Sequence, residues 1–143
     1  MSSDIPPANY TPGLAWLFLS PFGRLGRHAY WLGFGFIWMV IAIAIRLWWV
    51  SLDGNVNLET LDLASFMNSN PLLPYLFFIL QWLELAFVIK RCQDSGITGF
   101  AALLVFVPLV NLLAVVIFGF MPSANGPNRY GPAPNSYYRS PKA

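Results

Sequence analysis

The sequence has few charged residues, one cysteine and one histidine. Charged residues make up 10% of the 143 residues, against about 25% in ordinary soluble domains. The single Cys92 excludes a disulfide framework. Cys92 and the lone His28 also cannot by themselves form a zinc site or a bis-imidazole haem site, and their separation shows no signature of a nucleophile and its base. We therefore expect no catalytic residue, no metal site and no cofactor.

Basic residues are scarce as well, with eight Lys and Arg and a formal net charge of +2. They form no dense run, which excludes a nucleic-acid surface. Apolar residues are abundant instead, because they account for 57% of the chain and give a mean hydropathy of +0.57. This composition is typical of a membrane protein, and membrane lipids are the first expected partners.

Three apolar stretches predict membrane-spanning helices at residues 29–50, 71–90 and 99–121. At about 1.5 Å per residue, each is long enough to cross a hydrocarbon core of about 30 Å. The apolar segment at residues 13–22 is too short to cross and predicts a short interfacial helix. The predicted fold is therefore an all-α, polytopic transmembrane bundle of three spans with a short N-terminal interfacial helix, in a single membrane domain over residues 13–121.

The two ends of the chain differ from this membrane domain in composition. Residues 1–12 contain no Lys or Arg and lack the basic start and cleavage site of a signal peptide. We expect them to form a retained, flexible N-terminus. Residues 122–143 are rich in Pro, Gly, Asn and Tyr, so we expect an irregular tail.

Basic residues near the ends of the spans indicate the orientation. Arg24 and Arg27 precede the first span, Lys90 and Arg91 follow the second, and the loop between these spans has no basic residue. Because basic residues concentrate on the cytoplasmic side, the N-terminus is predicted to be cytoplasmic. Three crossings then place the C-terminal tail on the outer side of the membrane.

Pro108 interrupts the third apolar run. Proline removes a backbone donor and clashes with the carbonyl four residues earlier, here Leu104, so the sequence predicts a kink. Asn111 is expected to satisfy the freed backbone group. The alternative is a hairpin at Pro108 that returns the tail to the cytoplasm, an arrangement that the three basic residues of the tail favour.

Four polar residues fall within the predicted spans, and such residues are candidates for function. Glu84 is interpreted as a hydrogen-bonded acid that joins helices, with proton or ion coordination as the alternative. Gln81 and Asn111 are expected at mid-membrane, where a hydrogen bond can join the second and third helices. Arg46 is expected to extend to the outer headgroups or to reach Asp53.

Three motifs resemble those of the bacterial inner-membrane family known as domain of unknown function 805. Residues 22–31 read FGRLGRHAYW, residues 90–100 read KRCQDSGITGF, and residues 126–134 read GPNRYGPAP. The last string contributes Asn128, Arg129, Tyr130 and Gly131 as a tail motif. The resemblance implies a small polytopic protein of the bacterial inner membrane, so that the outer side predicted for the tail is the periplasm. It implies no activity, because the role of the family is not established.

The second motif departs from the family at two positions. Gln93 stands where the family usually has His, and Cys92 replaces Leu, which weakens any idea of a metal or a proton relay there. Asp94 is retained. We expect its carboxylate to accept backbone hydrogen bonds near a helix start or to pair with Arg24 or Arg27.

The basic residues of the first two motifs also allow a functional interpretation. Arg24, Arg27, Lys90 and Arg91, together with Asp94, can form a cytoplasmic-interface site for lipid headgroups or a partner. Two functions from different classes remain. The first is a non-catalytic accessory subunit of a larger membrane complex, which it contacts through aromatic and small-residue helix faces. The second is an oligomeric transporter or channel that uses the intramembrane polar residues described above.

Overall fold

The computed structural model describes residues 6–52 and 57–139. Over these residues the chain is mostly helical with little strand. The α-helices are α1 Leu14–Leu19, α2 Arg27–Ser51, α3 Leu63–Asn68, α4 Leu73–Asp94 and α5 Val110–Phe120. Two 3-10 helices, Leu58–Thr60 and Gly99–Phe106, and two short strands, β1 Ala8–Asn9 and β2 Tyr137–Tyr138, complete the elements.

Two helices in the described part of the chain are long and apolar enough to cross a membrane. They are α2 and α4, whose most apolar stretches have mean hydropathies of 1.8 and 1.5. They correspond to the first two predicted spans. The helix α4 runs four residues past the expected end at residue 90, as far as Asp94. Asp94 therefore belongs to the last turn of α4 and does not begin the next helix, whose N-cap is Thr98.

The expected third span is not confirmed. The run contains the 3-10 helix Gly99–Phe106, a break at residues 107–109 and the 11-residue helix α5. The backbone N–H of Ile97, just before the run, donates to Cys92 at 2.9 Å, and that of Ala124, just after it, donates to Asp94 at 2.8 Å. The run therefore leaves and returns to the same end of α4. We name this run, residues 99–121, the hairpin.

The turn of the hairpin follows from its local sequence. Pro108 lacks a backbone donor and cannot continue a helix, and Leu109 adopts a left-handed backbone with φ of 67°. The Asn111 side chain donates to the carbonyl of Val105 at 2.7 Å. Asn111 thus binds a carbonyl near the break but not that of Leu104, which was the group expected to be freed by Pro108. The carbonyl of Leu104 accepts from the backbone N–H of Val107 at 3.2 Å.

The core lies where α2, α4 and the hairpin meet, at the end of α4 that carries Asp94. The helices α2 and α4 approach closely there, because a Cβ atom on Gly33 would lie 2.5 Å from the ring of Phe87. The residues buried in this cluster include Tyr30, Phe34, Ile37, Leu83, Phe87, Val88, Ala102, Val105, Ala114, Val115 and Phe118. The close contact between α2 and α4 therefore needs a glycine at position 33.

The two ends of the chain pair with each other. Ala8 aligns with Tyr138 and Asn9 with Tyr137 in an antiparallel ladder, and the ring of Trp16 stacks on Tyr137 with centroids 5.7 Å apart. We expected a flexible N-terminus and an irregular tail, whereas in the structure a part of each pairs with the other. Local sequence patterns do not reveal such a pairing, because the two segments are far apart in sequence. Residues 1–5 and 140–143 lie outside the described residues.

Gly33→Ala should destabilise the fold by about 1–3 kcal/mol, because the added methyl group overlaps the buried Phe87 ring. Gly35→Ala is the matched control on the same helix, since nothing lies within 4 Å of its added Cβ. The control should be neutral or more stable by about 0.5–1 kcal/mol from helix propensity. Unfolding in mixed micelles followed by circular dichroism measures both. Equal stability of the two variants would contradict the close contact.

Candidate functional site

Three charged residues meet at the end of α4 and are fully shielded from solvent. Arg24 lies in the loop before α2, whereas Arg91 and Asp94 lie one turn apart on the last turns of α4. Each of the three has a relative exposure of 0%. We name this group the buried charge cluster. Because it contains two cations and one anion, its stability depends on how the single carboxylate and the nearby carbonyls are arranged.

Asp94 is the centre of the buried charge cluster. Its Oδ1 accepts from Nε of Arg24 at 3.0 Å, and its Oδ2 accepts from Nη1 of Arg91. The hydroxyl of Ser123 also donates to Oδ2. The expectation that Asp94 pairs with Arg24 is confirmed by this geometry. One carboxylate thus joins the loop before α2, the end of α4 and the start of the tail.

The remaining donors of Arg24 bind the tail. Nη2 donates to the carbonyl of Ala124 at 2.9 Å, and Nη1 donates to the carbonyls of Gly126 at 2.7 Å and Gly131 at 3.3 Å. The backbone N–H of Arg24 donates to Ser136 at 2.8 Å. The fixed fork of a guanidinium suits several acceptors at once. The tail therefore wraps around one side chain.

Arg91 binds the end of the hairpin. Its Nε donates to the carbonyl of Phe118 at 3.0 Å, and its Nη2 donates to that of Met121. These carbonyls belong to the last turn of α5, where backbone acceptors have no partner within the helix. A cation at a helix C-terminus also complements the helix dipole. Arg91 therefore caps α5 and holds the hairpin against α4.

Lys90 caps the C-terminal end of the short helix α1. Its Nζ donates to the carbonyl of Trp16 at 2.9 Å and to that of Leu17, and it lies 4.5 Å from the centroid of the Trp16 ring. Lys90 has a relative exposure of 0%. The functional interpretation of the sequence allowed Lys90 and Arg91 to bind lipid headgroups or a partner, whereas in the structure both cap helix ends inside the fold.

The residues of the tail motif mainly fix the backbone conformation of the tail. The Asn128 side chain donates to the carbonyl of Gln93 at 2.9 Å and accepts from the N–H of Tyr130 at 2.9 Å. A Cβ on Gly131 would lie 2.8 Å from the Ser136 carbonyl oxygen, so only glycine fits there. Arg129 is exposed, and its guanidinium lies 4.7 Å from the Tyr130 ring centroid.

Sequence reasoning missed two further contributors. Gln93 Oε1 accepts from the N–H of Gly23 at 3.0 Å, so an amide acceptor has a structural use at this position. Asn135 Oδ1 accepts from the N–H of Gly26 at 2.8 Å. Asn135 has φ of 59°, a conformation that asparagine tolerates. The Pro134-Asn135 pair was the only local signal of this turn.

The intramembrane polar residues form a separate group. Nε2 of Gln81 donates to Oε2 of Glu84 at 3.1 Å, and the Asn111 side chain lies beside the same carboxyl group. The expected bond between Gln81 and Asn111 is not formed, because each amide has another partner. Arg46 is exposed on α2, and its suggested partner Asp53 lies outside the described residues.

The buried charge cluster is closed to solvent. Among the described residues, no group of three His, Cys, Asp or Glu side chains can hold a metal ion. In the same residues, Ser95 Oγ is the one buried side-chain polar atom without a hydrogen-bond partner. Lipid headgroups cannot reach Arg24, Lys90 or Arg91 either. Only Arg27 of the proposed interface motif is exposed, and it donates to Met121 at 3.4 Å.

Comparison with known proteins yields one match. A family model described as a protein of unknown function, DUF805, matches residues 18–132. The match includes Arg24, Asp94 and the tail carbonyls that bind Arg24. No curated protein and no solved structure matches the chain.

Asp94→Asn should destabilise the fold by about 3–5 kcal/mol, because it leaves two buried guanidinium groups without a counter-ion. Arg27→Gln is the control: it also removes one charge at this end of the molecule, but from an exposed side chain, and should change stability by less than about 1 kcal/mol. Thermal unfolding of the purified variants in detergent measures the difference. A stable Asp94→Asn variant would show that the carbonyls alone suffice for the cations.

Proposed function

The chain belongs to the DUF805 family of proteins of unknown function, and we propose that it is a multi-pass membrane protein that binds a larger membrane protein without catalysing a reaction. The observation that carries this proposal is the internal use of its motif charges. Arg24, Lys90, Arg91 and Asp94 all hold the fold together. The surface that remains for a partner is apolar.

The membrane embedding is supported by the exposure of α2 and α4. Only 17% of the most apolar stretch of α2 and 28% of that of α4 is buried within the chain. The central helix of a soluble protein is mostly buried instead. Large apolar side chains such as Leu32, Phe78 and Leu112 are between 66% and 76% exposed. Such a surface is stable against lipid or against another apolar protein surface.

The hairpin is compatible with membrane depth. Irregular backbone is tolerated there when it is packed in protein and its polar groups are satisfied. Asn111 provides one such bond to Val105, and the Tyr30 hydroxyl donates to the carbonyl of Val115 at 2.8 Å. We infer that α2 and α4 cross the membrane and that the hairpin enters and leaves from one side.

This arrangement resolves the conflict between the charges of the tail and those of the loops. The tail lies at the end of α4 that carries Asp94, so Arg129 and Arg139 share a side with Arg24, Arg27 and the two basic residues of α4. The opposite end carries Glu59 and Asp62 in the described residues, with Arg46 as its nearest cation. The distribution of basic residues then favours a cytoplasmic N-terminus and a cytoplasmic tail, in the plasma membrane of the cell.

A transporter or channel is the second candidate. It is favoured by the position of Glu84 and Gln81, which face a cleft between α2 and α4. With two crossing helices and a hairpin, one chain offers little material for a continuous path. An oligomer would be needed, and the measured quantity would be a flux that depends on Glu84.

The topology is tested by labelling single cysteines with a membrane-impermeant maleimide in a Cys92→Ala background. Thr98→Cys in the loop after α4 and Pro134→Cys in the tail should react from the same side, because the hairpin returns the chain. Ser69→Cys before α4 should react only from the opposite side. All three positions are exposed. Reaction of Pro134→Cys from the side of Ser69→Cys would restore the three-span arrangement.

The interaction role is tested by photo-crosslinking in intact cells. A photoreactive phenylalanine replaces Phe36 on α2, Phe78 on α4 or Phe100 on the hairpin, three exposed aromatic positions on different elements. At one of these positions we expect a discrete heavier adduct with the same protein in repeated experiments. The other positions serve as controls that face lipid. If no position gives a protein adduct and mild detergent returns a monomer, the accessory role is wrong.

A further inference from the structure

An apolar groove lies between α2, α3 and α4, beyond the point where Gly33 contacts Phe87. Its volume is about 510 Å³, and it is partly open. We name it the apolar groove. Most of its lining is aliphatic or aromatic, and it includes Ile37, Ile41, Ala44, Trp48, Phe66 and Phe77. Trp48 and Phe66 pack edge to face with centroids 5.1 Å apart.

Two acidic residues and one amide are the polar members of this lining. Glu84 and Gln81 face the apolar groove from α4, and Asp62 faces it from the start of α3. Glu84 lies near the middle of the 22-residue helix α4, about 15 Å from either end at 1.5 Å per residue. In the proposed orientation, Glu84 is thus at the centre of the membrane.

Glu84 has hydrogen bonds but no counter-ion. Gln81 donates to it at 3.1 Å, and Asn111 lies beside it. Both side chains are neutral amides. Over the residues that the structure describes, both ion pairs belong to Asp94. An ionised carboxylate at this depth is strongly unfavourable without a cation. A ligand that brings a positive charge into the apolar groove would therefore complete this site.

We propose that the apolar groove binds an amphiphilic amine, whose apolar body lies along α2 and α4 and whose ammonium group pairs with Glu84. Asp62 at the α3 side attracts the same positive charge during approach. A lipid acyl chain would match the apolar walls but would leave the carboxylate unpaired. An inorganic cation would need several oxygen ligands, whereas Gln81 turns its NH₂ group towards Glu84 and most of the remaining lining is apolar. The inference rests on the membrane embedding proposed above and goes beyond the interaction role.

Binding is tested with the full chain in nanodiscs of phosphatidylcholine. The probes are radiolabelled dodecylamine and the uncharged dodecanol, which has the same chain length. Empty nanodiscs correct for partition into lipid. We expect dodecylamine to bind at least 10-fold more tightly than dodecanol, because only the amine forms an ion pair in a medium of low polarity.

Four variants assign the binding to the apolar groove. Glu84→Gln should weaken dodecylamine binding at least 10-fold and leave dodecanol binding unchanged, and Glu84→Asp should retain most of the amine binding. Ala44→Trp fills the apolar groove and should abolish binding of both probes. Ala42→Trp, at an exposed position outside the lining, is the matched control and should bind as the unaltered protein does.

Three outcomes would overturn the proposal. Equal binding of dodecanol and dodecylamine would show that the apolar groove binds alkyl chains without recognising the ammonium group. Unchanged amine binding in Glu84→Gln or in Ala44→Trp would place the amine elsewhere. Absence of amine binding by the unaltered protein, with cysteine labelling and photo-crosslinking as expected, would refute the ligand site alone. Failure of the cysteine labelling would instead refute the membrane arrangement on which it rests.

Discussion

The carboxylate of Asp94 is the interaction on which the arrangement of the chain depends. It binds Arg24 from the loop before α2 and Arg91 from its own helix, and each guanidinium then reaches backbone carbonyls of another segment. Arg24 holds the tail, and Arg91 holds the end of the hairpin. Two guanidinium groups buried side by side repel each other, and an anion between them offsets that cost. Asp94 thus allows both arginines to act as clamps where water is excluded.

This cluster also determines the direction in which the chain travels. Because Ala124 binds the last turn of α4, the apolar run before it must return to that end. The chain therefore forms two long helices and a hairpin, and not the three long helices that the sequence predicted. The consequence is electrostatic as well as geometric, since Arg129 and Arg139 of the tail lie at the same end as Arg27, Lys90 and Arg91. In the proposed two-span arrangement, the charges of the tail and those of the loops indicate the same orientation.

Length and hydropathy predicted α2, α4 and the short helix α1, because each depends on a local apolar pattern. The sequence also placed Arg24 among the expected partners of Asp94, together with Arg27 and the backbone of a helix start, and the structure contains the pair with Arg24. The hairpin was not favoured, because residues 99–121 pass the same length test as a true span. Hydropathy also cannot show that Lys90 will find the carbonyls of α1, which depends on contacts between segments far apart in sequence.

The two acids of α4 illustrate how structural and ligand-binding roles can be separated. Asp94 and Glu84 lie ten residues apart on one helix, Asp94 fully buried and Glu84 half-buried at the apolar groove. Asp94 has two cations and a serine hydroxyl, so its charge is balanced within the fold. Glu84 is accompanied only by amides, so the described chain supplies no counter-ion for it. A buried carboxylate such as Asp94, whose counter-ions come from the fold, has a structural role. A carboxyl group such as Glu84, for which the fold supplies no cation, can bind the cationic group of a ligand.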